Sequence, residues 1–179
     1  TDTDGNAISE IGIGGTFVVN VFATDLRAFP SGQGVFAAYL DILFDSTLAS
    51  GVVNSFTFGN GFGLAALDDD FLTAGVIDEI GAAQSNISPP GTDEQFVVSF
   101  QMTADRQGTL TLTADPADAS DNKVLIFGVD DEIQTEFVSY GAASIEFQSD
   151  FGVVDDFRNF DEDSGIQTID VLSNDSFPN

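Results

Sequence analysis

The feature that most constrains the fold is a two-residue alternation of apolar and polar side chains that returns in short segments. In segment 16–26, Phe17, Val19 and Val21 share one side of an extended chain. A period of two is typical of a β-strand with one buried face. The other segments of this kind are 34–45, 54–59, 94–104, 108–114, 122–128 and 141–148. We therefore expect at least seven strands.

Segment 34–45 is predicted to be a central strand, because nearly all of its residues are apolar. One of its faces carries Phe36, Ala38, Leu40, Ile42 and Phe44, whereas Asp41 lies on the other face. The expected core contact is that of Phe36, Leu40, Ile42 and Phe44 with Phe96, Val98 and Phe100 of another strand.

Turn-forming residues separate the predicted strands. Gly, Pro, Asp and Ser are concentrated at 30–34, 59–63, 88–94 and 115–122. Many short strands at this spacing indicate an all-β sandwich or jelly roll. Segment 63–75 mixes apolar and acidic residues without a period of two, so we expect a helical turn that lies over one sheet.

The composition changes near Asp150, which divides the chain into a sandwich domain, 1–150, and a tail, 151–179. The tail is too short for a core of its own and has one candidate strand, 165–172. We expect this strand to join the edge of a neighbouring copy, with Ile169 and Val171 entering an apolar groove and Asp170 facing solvent. Repetition of that contact would build a filament. The alternative is a tail that folds back on its own sandwich.

Charge restricts the partners of this chain. It has 30 Asp and Glu residues against 4 Lys and Arg, for a net charge of −26. Such a surface repels nucleic acids and anionic membranes, and no apolar run is long enough to span a bilayer. Divalent cations would relieve the repulsion among carboxylates, and a solvated acidic surface is the alternative explanation.

The absence of Cys and His excludes several kinds of chemistry. Disulfides, thiol nucleophiles, zinc sites and triads with an imidazole base all require these residues. Paired carboxylates suffice for glycoside hydrolysis, but no Trp is present to form a sugar platform. We therefore predict that the chain is not an enzyme.

Several phrases between Gly12 and Phe147 resemble the cohesin-like modules of large surface proteins of planctomycetes and similar environmental bacteria. They include GGTFVVNVFATDLRA, GQGVFAAYLDILFDSTL, GVIDEIGA, PPGTDEQFVVSFQMTA, DPADA and VLIFGVDDEI, in this order. The resemblance implies a jelly-roll or Ig-like sandwich of about nine strands. It also implies binding or scaffolding rather than catalysis, with a dockerin-like module as one class of partner.

The tail is similar to the opening of bacterial cadherin-like or Ig-like repeats. It carries an acidic pair at 155–156, a DEDS phrase at 161–164 and an LSND phrase at 172–175. By analogy with those repeats, Asp161, Asp163 and Asp175 would bind calcium between domains. The tail is thus either the first strand of such a repeat or a strand donated to another subunit.

Clusters of carboxylates supply the other candidate calcium ligands, because Ca²⁺ prefers oxygen donors gathered in a loop. The first set is Asp68, Asp69, Asp70, Asp78 and Glu79. Two further sets are Asp130, Asp131 and Glu132, and Asp115, Asp118 and Asp121. Solvated loops are the alternative for each set. The DTDGN phrase at 2–6 begins like a calcium loop but lacks the later ligands, so we predict an exposed linker there.

These observations predict a non-catalytic structural or adhesive module of an extracellular bacterial surface protein or filament, stabilised by calcium. Its expected partners are copies of itself or neighbouring domains of the same polypeptide. The alternative is a recognition module that binds a dockerin-like partner or a polysaccharide.

Overall fold

Two β-sheets form the part of the chain that the computed structural model describes, which comprises residues 1–28, 33–67, 73–85, 88–119 and 123–149. The larger sheet has the order β1-β11-β9-β3-β7-β6, and β10 also pairs with β3. The smaller sheet has the order β2-β8-β4, and β5 also pairs with β8. The predicted all-β, two-sheet sandwich is confirmed.

Eleven strand segments are present in the described residues. They are β1 (Glu10–Gly12), β2 (Thr16–Ala23), β3 (Val35–Leu43), β4 (Ala49–Gly51), β5 (Thr57–Phe58), β6 (Phe62–Leu67), β7 (Val76–Gln84), β8 (Gln95–Ala104), β9 (Gly108–Pro116), β10 (Val124–Ile126) and β11 (Ala142–Gln148). A 3₁₀ turn lies at Thr135–Phe137. Within the described ranges, no helix is long and apolar enough to cross a membrane.

The core lies between the two sheets. Phe17 and Phe100 contribute from the smaller sheet, and Ile80, Leu110 and Phe147 from the larger one. The rings of Phe17 and Phe147 meet across the sheets with centroids 5.6 Å apart. Burial of these apolar surfaces is the main driving force for a sandwich of this kind.

Two of the predicted core contacts are wrong, and in both cases a bulge is the reason. Phe36 is skipped in the β3–β10 register, where Leu125 opposes Ala37 and Ile126 opposes Val35. An extra residue in a strand reverses the faces beyond it, so Val35 enters the core and Phe36 packs with a second apolar cluster.

Phe96 is displaced by a second bulge, between β2 and β8, where the register moves from Val98 directly to Phe96. Its ring therefore packs against Phe22 in a tilted arrangement instead of entering the core, with centroids 5.7 Å apart. The other predicted contacts hold: Leu40, Ile42, Val98 and Phe100 are buried, and Phe44 packs against the core.

The predicted helical turn at 63–75 is also wrong where the structure describes it. Residues 62–67 form β6, which pairs with β7 through two register shifts. These irregularities remove the two-residue period, which explains why the pattern did not indicate a strand. Residues 68–72 lie outside the described residues.

Asp25 anchors the connection between β2 and β3. Asp25 is 4% exposed, and its carboxylate accepts hydrogen bonds from the Arg27 guanidinium (2.9 and 3.0 Å) and from the Gln33 and Gly34 backbone N–H groups (both 3.0 Å). The Arg27 guanidinium is the main reason that the pKa of Asp25 lies well below its usual value. The ionised form of Asp25 therefore stabilises the fold.

Replacing Asp25 should reduce stability most at neutral pH. Because the pKa of Asp25 is lower in the folded state, its contribution is present above the ordinary Asp pKa and is lost as pH falls below that value. Asp25→Ala leaves buried N–H donors unpaired, at about 1–3 kcal/mol, and should flatten the acid side of the stability curve. Urea unfolding from pH 2 to 7 measures both effects, with the exposed Asp105→Ala as control. If the free energy of unfolding of Asp25→Ala falls with decreasing pH as steeply as that of the wild type, this role of Asp25 is contradicted.

The core assignment is tested at Phe100, whose side chain is fully buried. Phe100→Ala should lower the free energy of unfolding by about 3–5 kcal/mol through lost burial and a residual cavity. Phe137→Ala is the matched control, because Phe137 is 76% exposed and its loss should change stability by less than about 0.5 kcal/mol. Equal effects of the two substitutions in chemical denaturation would show that the core is misassigned.

Candidate metal site

A bulge in β7 creates the main cluster of carboxylates. In the β3–β7 register, Leu40 opposes Ile80 and Ile42 opposes Ile77, so that Asp41 faces both Asp78 and Glu79. Glu79 adopts a positive φ of 55°, which is uncommon for a residue other than glycine. Its backbone N–H donates to Asp41 Oδ1 at 2.7 Å. The extra residue of β7 is thereby tied to the carboxylate of the facing strand.

The loop after β9 brings the fourth carboxylate. Ala117 is fully buried in the second apolar cluster, beside Tyr39 on the outer side of the larger sheet. The Ala119 N–H donates to a Glu79 carboxylate oxygen, which fixes this loop next to the bulge. As a result, one carboxylate oxygen from each of four residues lies within 4.8 Å of the others, in the cluster of Asp41, Asp78, Glu79 and Asp118. We call these residues the acidic cluster.

Burial makes Asp41 the central member of the acidic cluster. Its residue surface is 6% exposed, whereas Asp78 and Asp118 are exposed. Burial raises the pKa of Asp41 above its usual value, and the negative charges of Asp78, Glu79 and Asp118 act in the same direction. The hydrogen bond from the Glu79 N–H opposes this shift in pKa and does not cancel it. The folded protein thus holds a desolvated carboxylate that either a proton or a cation would stabilise.

Further acidic residues surround the acidic cluster. Asp115 on β9 is the register partner of Asp41 on β3. Burial raises the pKa of the Tyr140 hydroxyl, and the charges of Glu132, Asp115 and Asp41 raise it further. Acidic side chains from three separate stretches of sequence, those of Asp41, Asp115 and Glu132, therefore all raise the pKa of Tyr140.

Some of the predicted ligands come together and others do not. Asp78 and Glu79 lie in the acidic cluster with Asp118, whereas Asp130 and Asp131 are exposed in the turn after β10 and are not part of it. The predicted ligands that lie outside the described residues are Asp68, Asp69, Asp70, Asp121, Asp161, Asp163 and Asp175.

Sequence reasoning missed Asp41 as a ligand. Its position was visible as the acidic residue on the second face of a strand that is otherwise nearly all apolar. A charge in such a strand requires a compensating partner, and this requirement is the signal that could have identified it. The partner is the Glu79 N–H, and its position depends on the bulge in β7, which the alternation of apolar and polar residues did not reveal.

The DTDGN loop satisfies its first carboxylate internally. Asp2 accepts hydrogen bonds from the backbone N–H of Asp4 (3.0 Å) and of Asn6 (2.8 Å), and from the Asn6 side-chain amide (2.9 Å). The Asn6 amide is the main reason that the pKa of Asp2 is lowered. This loop forms an Asx-type turn, and in the part of the chain that the structure describes Asp2 belongs to no cluster of three or more acidic side chains.

The acidic cluster has the donor chemistry of a hard divalent cation. All four of its side chains offer oxygen, and they come from a strand, a bulge and a loop that are held together by hydrogen bonds. Ca²⁺ takes six to eight oxygen ligands in flexible geometry, so water and backbone carbonyls would complete the shell. The four side chains fit calcium as ligands in type and in mutual distance.

No protein-family model and no curated protein matches the sequence. A solved structure does match: the cohesin module of a family 33 glycoside hydrolase from Clostridium perfringens, with a TM-score of 0.54 and 11% identity. The chain has a cohesin-like fold. The match covers 80% of this chain and 93% of the cohesin module.

The cohesin-like fold confirms the predicted jelly-roll sandwich, and at this identity it shows the fold alone. The resemblance to planctomycete surface proteins and the cadherin-like character of the tail stay predictions. The acidic cluster lies on the outer side of the larger sheet of this cohesin-like sandwich, where it leaves the core between the sheets intact.

The raised pKa of Asp41 predicts that removal of its charge stabilises the fold. Because the pKa of Asp41 is raised in the folded state, its charge opposes folding at neutral pH, and this penalty disappears as pH falls. In metal chelator at pH 7, Asp41→Asn keeps the oxygen that accepts the Glu79 N–H and should raise the melting temperature. The expected rise is about 2–4 °C for each kcal/mol of repulsion relieved.

Asp130→Asn is the matched control, since it removes the same charge from an exposed position outside the acidic cluster. Its melting temperature in chelator should stay near that of wild type. A fall in the melting temperature of Asp41→Asn under these conditions would contradict the account of Asp41.

Proposed function

We propose that this chain is a non-catalytic, calcium-stabilised structural or adhesive module of an extracellular bacterial surface protein. The observation that carries the proposal is the acidic cluster, built around a buried carboxylate on a cohesin-like sandwich. The proposal assigns the outer side of the larger sheet to calcium and the rest of the surface to contacts with other domains or copies.

Calcium would act on the free energy of folding. A chain with a net charge of −26 repels itself, and Asp41 concentrates part of that repulsion in a desolvated position. A divalent ion bound by Asp41, Asp78, Glu79 and Asp118 turns this repulsion into attraction. An ion that binds only the folded state stabilises it by RT ln(1 + [Ca²⁺]/Kd), which is about 2.7 kcal/mol when calcium is at 100 times Kd.

An extracellular location agrees with this role. Calcium sites of extracellular modules have dissociation constants of roughly 10⁻⁴–10⁻³ M, and two of the four ligands here are exposed, which favours weak rather than tight binding. The absence of Cys means that the fold does not depend on disulfide formation after export.

Assembly is the second part of the proposal. The tail segment 165–172 has the alternation of a strand, and sheet edges accept added strands through backbone hydrogen bonds. Donation of this segment to another copy would join modules head to tail and produce a filament, because such a contact does not close.

A recognition module is the second candidate function. The cohesin-like neighbour is part of a glycoside hydrolase, and by analogy this chain would bind a dockerin-like partner or a polysaccharide. The tilted pair of Phe22 and Phe96 favours this candidate, because Phe22 is 51% exposed and offers an aromatic surface. Under this hypothesis a purified dockerin-like module or polysaccharide binds the chain, and Phe22→Ser weakens that binding.

Thermal unfolding tests the calcium proposal. We expect the melting temperature of the wild-type chain to be higher in millimolar calcium than in chelator with monovalent salt of matched ionic strength. Asp41→Asn should lose most of this difference, and Asp130→Asn should retain it. If calcium and matched salt give equal melting temperatures for the wild type, screening alone explains the acidic composition and the calcium proposal is wrong.

A further inference from the structure

The chain passes from the smaller sheet to the larger one at the turn between β5 and β6. β5 pairs with β8 in the smaller sheet, whereas β6 pairs with β7 in the larger sheet. Two backbone hydrogen bonds hold the turn. The Gly59 N–H donates to the Val97 carbonyl of the smaller sheet at 2.8 Å, and the Gly61 carbonyl accepts the Ser85 N–H, next to β7, at 2.9 Å. Asn60 therefore lies between residues that are bonded to different sheets.

Beside this turn is an open cleft to which both sheets contribute side chains. Its volume of ≈ 430 Å³ is within the range of small-molecule sites. Phe62 and Gln84 come from the larger sheet, where they are register partners, and Gln95 and Phe96 come from the first residues of β8. We call this space the amide cleft, and the described residues that line it are Asn60, Phe62, Gln84, Pro90, Gln95 and Phe96.

The lining of the amide cleft differs in charge from the rest of the chain. The chain has 30 Asp and Glu residues and a net charge of −26, yet the part of the lining that the structure describes has no charged side chain. It offers three primary amides instead, and each of them has two N–H donors and one acceptor oxygen. A ligand of this cleft would therefore be recognised by hydrogen bonds rather than by charge.

Gln84 has a hydrogen-bonding group that the protein does not use. The residue is 3% exposed, and its Nε2 donates to the Val35 carbonyl at 3.0 Å and to Gln95 Oε1. These two bonds use both protons of Nε2 and fix the orientation of the amide. Among the described residues, Gln84 Oε1 has no hydrogen-bond partner. A buried acceptor without a partner is unfavourable, and a donor from outside the chain would satisfy it.

The other lining groups are also held in place without a ligand. Gln95 accepts the bond from Gln84 and donates through its own Nε2 to the Gly91 carbonyl at 3.2 Å. Phe62 is 3% exposed, and the half-buried Phe96 ring packs against Phe22. Side chains that are already ordered lose less conformational entropy on binding. The amide cleft thus combines fixed amides with apolar rings, as small-molecule sites do.

We propose that the amide cleft binds a neutral sugar unit of a polysaccharide. This inference rests on the second candidate function, recognition of a polysaccharide, and names its binding site. The hydroxyl groups of a sugar ring both donate and accept hydrogen bonds, as the three amides do. The C–H groups of the ring pack against aromatic side chains, which Phe62 and Phe96 supply. A sugar hydroxyl is also the kind of donor that Gln84 Oε1 lacks.

The lining favours a sugar over a peptide. An extended peptide gains affinity from backbone hydrogen bonds along a sheet edge, whereas the amide cleft is lined by side chains of opposite sheets. A basic peptide would be attracted to the acidic surface as a whole, and an uncharged cleft would give it no preferred position. Acidic glycans would be repelled by the net charge of the chain, so the sugar is expected to be neutral.

The test uses the full-length chain and an array of neutral and acidic glycans. Neutral glycans should bind, and acidic ones should not. For the neutral glycan that binds best, titration calorimetry should show that Asn60→Ala weakens binding at least fivefold. Gln107→Ala is the matched control, because it removes another exposed amide, beyond the opposite end of β8, and it should change binding less than twofold.

Side-chain NMR of the wild-type chain provides a test that does not depend on a variant. The NH₂ resonances of Asn60, Gln84 and Gln95 should shift as the same glycan is added. The NH₂ resonances of Gln107 should stay where they are.

Three outcomes would overturn the proposal. A neutral glycan that binds Asn60→Ala as tightly as the wild type, without shifting the three amides, occupies another site, and polysaccharide recognition then stands without the amide cleft. An array on which no neutral glycan binds contradicts polysaccharide recognition as well. If a dockerin-like module shifts the three amides and no glycan does, the cleft belongs to a protein partner.

Discussion

The buried carboxylate of Asp41 is the constraint on which the proposed site depends. A charged group in a nearly all-apolar strand needs compensation, and here the first compensation is a backbone N–H from the facing bulge. The bulge places Glu79 at a positive φ and sets Asp78 beside it, so the same local irregularity that satisfies Asp41 also adds two more carboxylates. The hydrogen bond from the Glu79 N–H only partly offsets this concentration of negative charge. A bound cation or a proton would neutralise more of it.

The two apolar clusters explain how a sandwich of this size holds such a site without losing its core. The inner faces of the sheets meet in a continuous core of aliphatic and aromatic side chains. On the outer side of the larger sheet, a smaller cluster around Ala37, Tyr39 and Ala117 anchors the loop that carries Asp118. Packing of Ala117 and hydrogen bonds to the Asp41 and Glu79 carboxylates therefore hold the acidic cluster, in which Asp78 and Asp118 are exposed.

Period-two alternation predicted the sandwich because most strands have one buried and one solvated face. On β9, Thr109, Thr111 and Thr113 are exposed and Leu110 and Leu112 are buried, as the pattern requires. The pattern failed at bulges: Phe36 and Phe96 moved out of the core, and β6 and β7 were not recognised as strands. The candidate site depends on one of these bulges. The sequence therefore predicted Asp78 and Glu79 in one set of ligands and Asp118 in another, but it did not predict that these residues meet at Asp41.

Terbium luminescence tests the calcium site most directly. Tb³⁺ resembles Ca²⁺ in its preference for oxygen ligands, and it emits when a nearby aromatic side chain is excited. The chain has no Trp and two Tyr, of which Tyr39 lies on the Asp41 side of β3 and Tyr140 is close enough to feel the charge of Asp41. We predict tyrosine-sensitised emission that saturates at one ion per chain, is displaced by calcium and is absent in Asp41→Asn. Emission of equal strength in Asp41→Asn, or no sensitised emission from the wild type, would contradict the account.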